Sequence, residues 1–126
     1  MHIRPILVAA AGLAISFSHL PPAAAQDATA GAAVFKTQCA ACHSPVAGKN
    51  LVGPSLFGVV GRPSGKVPGF HYSAANEASA LTWDTATLDT YLTSPREKIP
   101  HTTMTYGGEK DAKKRADLIA YLATLH

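Results

Sequence analysis

The stretch TQCAACHSP, residues 37–45, holds both cysteines of the 126-residue chain, with His43 directly after the second. Cysteines at this spacing serve a disulfide, a metal site or a covalently held prosthetic group. A Cys39–Cys42 bridge closes so small a loop that it constrains little of the unfolded chain. A thioredoxin-like redox pair needs a βαβ setting, and the flanking sequence offers none. A structural zinc site usually takes two ligand pairs, whereas His71, His101 and His126 lie scattered. C-x-x-C-H reads best as c-type haem attachment. Sulfurs on adjacent turns bond to two edges of one porphyrin, and the next side chain is directed at the iron. Disulfide, metal and dithiol oxidoreductase remain the rivals at this point.

The rest of the chain bounds the choice. Arg4, the uncharged apolar run from Ile6 to Phe17 and the small-residue sequence Ala23-Ala24-Ala25 follow the order of a secretory signal peptide. The run is shorter than the roughly 20 residues that span a bilayer; a retained anchor helix is the alternative. Residues 1–25 are therefore expected to be a cleaved leader, and residues 26–126 an exported, periplasmic domain. Without Arg4 the net charge is near +2, from +3 for the whole chain. That is too mild to argue for nucleic acid. No second apolar stretch approaches membrane length, so no integral membrane segment is expected after the leader. About a hundred residues make one small domain with a marginal core of its own, so something inside the fold should help it.

Helix signals sit at both ends. Asp27 can cap a helix running to about Ala41, Ser73 one over residues 74–79, Asp84 one through Leu92, and Asp111 a last one to about Thr124. A turn is expected from Pro95 to Ile99. In the last helix Leu118, Tyr121, Leu122 and Leu125 form an apolar stripe. Residues 44–70 carry too many glycines and prolines for helix or strand. So long a loop must lie against something, and a large flat prosthetic group would serve.

Further motifs extend the pattern: G-P-S-L-F-G-V-V-G-R, G-F-H-Y-S-A-A-N, L-T-W, L-D-T-Y-L, I-P-H-T-T-M and R-A-D-L-I-A-Y-L. With C-A-A-C-H, in this order over residues 27–125, they resemble the class I cytochromes c, soluble single-haem electron carriers. The resemblance implies an all-α cytochrome c fold, its first and last helices packed together and its short helices and loops wrapped round one haem c. It places thioethers on Cys39 and Cys42, the proximal ligand on His43 and the other axial ligand on Met104, the sole methionine after the leader. His101, three residues upstream, is the rival ligand and stands where the family usually has glycine. Pro54 would accept the imidazole N–H through its carbonyl. Arg62, Tyr72, Ser73 and Trp83 resemble the cradle of the haem propionates, although core packing serves Trp83 equally well. Asn76, Tyr91 and Thr102 resemble the polar network beside the methionine. Leu56, Phe57, Leu92, Leu118 and Leu122 read as apolar wall, and Gly31 and Phe35 as residues meeting the last helix near Leu118 and Tyr121.

The function so implied is single-electron transfer between redox protein partners by a monomer, with no catalytic residues. Two strong axial ligands leave no open iron position. Its rivals are a haem enzyme or gas sensor with a labile sixth ligand, and a dedicated electron-accepting subunit of a dehydrogenase. Gln38, Glu97 and Thr103 stand where the family often has cations at the haem edge, while Lys36, Lys49, Arg96, Lys98, Lys110, Lys113 and Lys114 remain, so steering of a negative partner by charge is expected to be weaker.

Overall fold

A computed structural model describes residues 25–126; the expected leader lies outside these residues, apart from Ala25. Five helices follow in order: α1 (Ala28–Gln38), α2 (Ala74–Ala78), α3 (Thr85–Thr93), α4 (Pro95–Lys98) and α5 (Ala112–Leu122). No strand forms among the described residues, only an isolated antiparallel bridge between Pro63 and Thr82. The fold is the expected all-α one.

Each long helix starts where a short oxygen-bearing side chain meets free amides. Asp27 accepts from the N–H of Thr29 and Ala30, Asp84 from Thr87, and Asp111 from Lys113 and Lys114. Ser73 caps α2 through the N–H of Asn76. Helix α1 stops at Gln38, short of the expected Ala41. The Cys39, Ala40 and Cys42 amides turn back onto Phe35 and Cys39 carbonyls, so the cysteine motif forms a tight turn beyond the helix. α4 occupies the expected turn after Pro95.

The core is built where α1 and α5 cross. Leu118 is fully buried, Phe35 and Tyr121 pack as tilted rings with centroids 5.3 Å apart, and Ile119 and Leu122 close the seam. Burying one such leucine contributes about 1.5–3 kcal/mol, and the ring pair adds roughly 0.5–1.5 kcal/mol. Gly31 permits the crossing, with Asp117 and Tyr121 of α5 directly over it. Ile119 is buried although it stands outside the expected stripe, and α3 also packs on α5. Residues 44–70 hold their course without regular structure through buried serines. Ser55 donates to the Val46 carbonyl at 2.6 Å and accepts from Phe57 N–H, while Ser44 accepts from Val46 N–H.

Asp117 is the one buried acid among the described residues. Its carboxylate accepts from Lys113 Nζ at 2.6 and 2.7 Å and from the Asp27 N–H at 2.9 Å, tying the start of α1 to α5. The Lys113 bonds first, and the Asp27 amide second, hold it below the ordinary carboxylate range. A depressed carboxyl contributes stability that is present above its unfolded pKa and lost as pH falls through the folded value. Acid titrations of stability should therefore show Asp117→Asn less stable than wild type at neutral pH. The gap should narrow as the pH drops through and below the ordinary carboxylate range. A gap independent of pH would rule this role out.

Candidate functional site

One cavity of about 370 Å³ opens between the cysteine turn, the 44–70 loop and the segment before α5. Its lining includes all twelve residues singled out from the sequence: Cys39, Cys42, His43, Pro54, Arg62, Tyr72, Ser73, Asn76, Trp83, Tyr91, Thr102 and Met104. Leu56, Leu92 and Leu122 complete the expected apolar wall, but two others do not take part. Phe57 is 38% exposed, and Leu118 is spent in the α1–α5 seam. His101 lies outside the lining; it is exposed, and its φ of +66° bends the chain in the left-handed region that glycine prefers.

The turn after α1 presents the cysteines. Cys39 is half-buried, Cys42 is exposed, and the two are not joined. Burial first, then the neighbouring Cys42, pushes the Cys39 thiol up to about 11. His43 follows, and its Nδ1 lies 2.7 Å from the Pro54 carbonyl. A carbonyl only accepts, so Nδ1 carries the proton and Nε2 keeps its lone pair. Burial, partly opposed by that hydrogen bond, lowers the His43 pKa and favours the neutral ring. Gly53 makes the approach possible: a Cβ there would stand 2.3 Å from His43 Cε1. The Gly53 N–H donates to the Cys42 carbonyl at 2.8 Å, locking the loop beneath the ring.

Met104 sits on irregular chain beyond α4. Its Sδ receives the Tyr91 hydroxyl at 3.7 Å, and its N–H donates to Thr102 Oγ1 at 3.3 Å. Burial pushes the Tyr91 phenol up to about 12, so it remains a donor at neutral pH. The tilted Trp83 and Tyr91 rings, 4.7 Å apart, back this part of the wall. Asn76 Oδ1 is buried without a partner. Arg62 spends one N–H on the Phe57 carbonyl and another on the Ser55 carbonyl, and it forms no ion pair among the described residues. Ser73 accepts from Asn76 N–H and still has its own proton to give, while Tyr72 Oη accepts from Val67 N–H.

These residues fit a haem. Two thiols and an oriented imidazole share one wall, a soft thioether lines the same apolar space, and a half-buried guanidinium without a carboxylate suits an anionic edge. The orphaned Asn76 oxygen marks a polar group awaiting a partner. Phe70 and Tyr106 also line the cavity and were not singled out from the sequence, whereas Gln38 stands at the haem edge that the resemblance implied. Phe70 was legible in outline, two positions before Tyr72 with its ring edge-on at 4.8 Å. Gln38 and Tyr106 meet across 68 residues, which no local pattern reveals.

Comparison with known proteins agrees with this geometry. The Cytochrome c family model matches residues 28–126. The chain is 48% identical over 99 residues to cytochrome c2 of Rhodopila globiformis, covering 79% of this chain and 93% of that protein. It is 49% identical over 112 residues to cytochrome c2 of Blastochloris viridis, covering 88% and 87%. The solved structure of cytochrome cH from Methylobacterium extorquens superposes with a TM-score of 0.73 at 46% identity, covering 78% of this chain and 98% of that one. The chain belongs to the cytochrome c family, as a class I monohaem electron carrier with haem c attached through Cys39 and Cys42.

Proposed function

We propose that the mature chain, residues 26–126, is a periplasmic shuttle that passes single electrons between redox proteins and catalyses no reaction of its own. His43 and Met104 would hold the haem iron through an imidazole nitrogen and a thioether sulfur. The observation that carries this reading is one cavity lined by both thiols, an imidazole with its lone pair on Nε2 and a thioether. When bound, the haem supplies a single one-electron couple at its iron.

The chain's own residues do the rest. The Pro54 carbonyl fixes the His43 ring and raises its donor strength. The Tyr91 hydroxyl donates to the Met104 sulfur, which would keep a second lone pair with which to hold the iron. A soft thioether favours the reduced iron and so raises the reduction potential. Arg62, Tyr72, Ser73 and Trp83 line the cavity and would meet the propionates, and Asn76 and Thr102 would supply polar groups beside the haem. Held by His43 and Met104, the iron would offer no open position to small ligands. The leader pattern supports export, and among the described residues no helix is long and apolar enough to cross a membrane.

Haem-loaded protein recovered from the periplasm, made from the full chain, tests this directly. Its mass should correspond to cleavage after Ala25 plus one haem that survives acid acetone. The reduced native protein should not bind carbon monoxide. Avid carbon monoxide binding would replace the shuttle with a sensor or enzyme.

Partner choice follows from the rim. The exposed lining residues Gln38, Cys42, Val52, Thr103 and Thr105 carry no charge, and Val52 is 78% exposed. Docking should therefore lean on contact rather than charge. The bimolecular rate with its physiological acceptor should change less than about fivefold as the Debye length falls from about 30 Å at 0.01 M salt to about 3 Å at 1 M. A steep decline with salt would point to a charged docking face instead.

A further inference from the structure

We propose that Gln38 is a positioning residue that clasps the Met104 segment to the end of α1 and so sets how readily the sulfur yields its place; this rests on Met104 being the axial ligand. Gln38 Oε1 accepts from Tyr106 Oη at 2.6 Å, and Gln38 Nε2 donates to Glu109 Oε2 at 2.8 Å. The other oxygen, Glu109 Oε1, accepts from the Asp111 N–H at 2.8 Å. This run of bonds starts one residue before Cys39, reaches Tyr106 two residues past Met104, and ends at the cap of α5. Gln38 and Tyr106 both line the cavity, so their bond bridges its rim.

The segment needs such a tie. Between the Met104 N–H, held by Thr102, and the Glu109 N–H, held by the Leu92 carbonyl at 2.8 Å, no backbone N–H of residues 105–108 makes a backbone hydrogen bond among the described residues. Tyr106 packs its ring on the core, and its hydroxyl finds Gln38. The residue type matters. An amide accepts from the phenol and donates to the carboxylate at once, whereas an ammonium accepts nothing and a carboxylate donates nothing. The bonds from Gln38 first and the Asp111 amide second hold the Glu109 carboxyl below its ordinary range, so the acceptor is ionised at neutral pH.

The test uses the exported, haem-loaded full chain. Imidazole is titrated into the oxidised protein, where it takes the iron position that the sulfur leaves, and amide hydrogen exchange is followed over residues 105–109. Gln38→Ala and Tyr106→Phe should each raise imidazole affinity about fivefold, the equivalent of one hydrogen bond, and should speed exchange in this segment. The double variant should add little beyond either single one for the shared bond. Gln38→Glu should loosen the segment as well, because two carboxylates then face each other. Combined with Glu109→Gln, it should return affinity and exchange to within about twofold of wild type, since a donor again faces the carboxylate. Wild type that shows the sulfur-dependent red band, with variants unchanged in both readouts or unrescued by the swap, overturns the clasp. Wild type without that band overturns the ligand assignment on which it rests.

Discussion

Met104→Ala should remove the weak red absorption band of the oxidised protein and lower its midpoint potential by on the order of 100 mV or more, a sizeable part of the about 0.8 V range that axial ligands set. The sulfur lies in the cavity with the Tyr91 hydroxyl on it at 3.7 Å, and after Ala25 the chain holds no other methionine to replace it. A soft donor stabilises the reduced iron more than the oxidised iron, so its loss moves the potential down. The variant should also acquire carbon monoxide binding when reduced, because no neighbouring ligand stands ready. His101 lies outside the cavity lining on left-handed backbone, and bringing it in would require rebuilding the loop. Potentiometric titration with visible spectroscopy checks the result. An unchanged band and potential would remove Met104 from the iron.

Gly31→Ala should destabilise the protein by about 2 kcal/mol or more. An alanine gains about 1 kcal/mol of helix propensity over glycine, so a surface helix would be strengthened by this change. Here the added Cβ would stand 1.9 Å from the Asp117 carbonyl oxygen and 2.9 Å from Tyr121 Cβ. The closest obstacle is backbone, which cannot swing aside as a side-chain tip can, so the α1–α5 seam must open. That seam carries Phe35, Leu118 and Leu122, and its opening outweighs the propensity gain. Denaturant unfolding should show a lower midpoint with little change in slope. A midpoint at or above wild type would mean that the seam is loose.

What could be read along the chain is what local chemistry decides. Asp27, Ser73, Asp84 and Asp111 each cap the helix they precede, because a cap needs only a short oxygen-bearing side chain two or three residues from free amides. The approach of His43 to the Pro54 carbonyl was implied by the resemblance to the class I cytochromes c and not by any local rule. Phe57 misled because an apolar residue in a coil has no periodicity to say which way it faces. The end of α1 was placed too late, since nothing in Cys39-Ala40-Ala41 opposes helix. The break comes from amides that turn back onto Phe35 and Cys39.

The order of its motifs was enough to define this chain as all-α, haem-bearing and of one family, since attachment chemistry and helix caps are written in neighbouring residues. Only the tertiary structure decided that Asp117 would be a buried anchor reaching Asp27, 90 residues away, and that Gln38 would join Tyr106 and Glu109. For Gly31 the resemblance implied a meeting with the last helix, and the tertiary structure added how close it is, with the Asp117 carbonyl where a side chain would stand. Such contacts depend on where separate segments come to rest, and burial and hydrogen bonding at that distance leave no periodic trace in either segment alone.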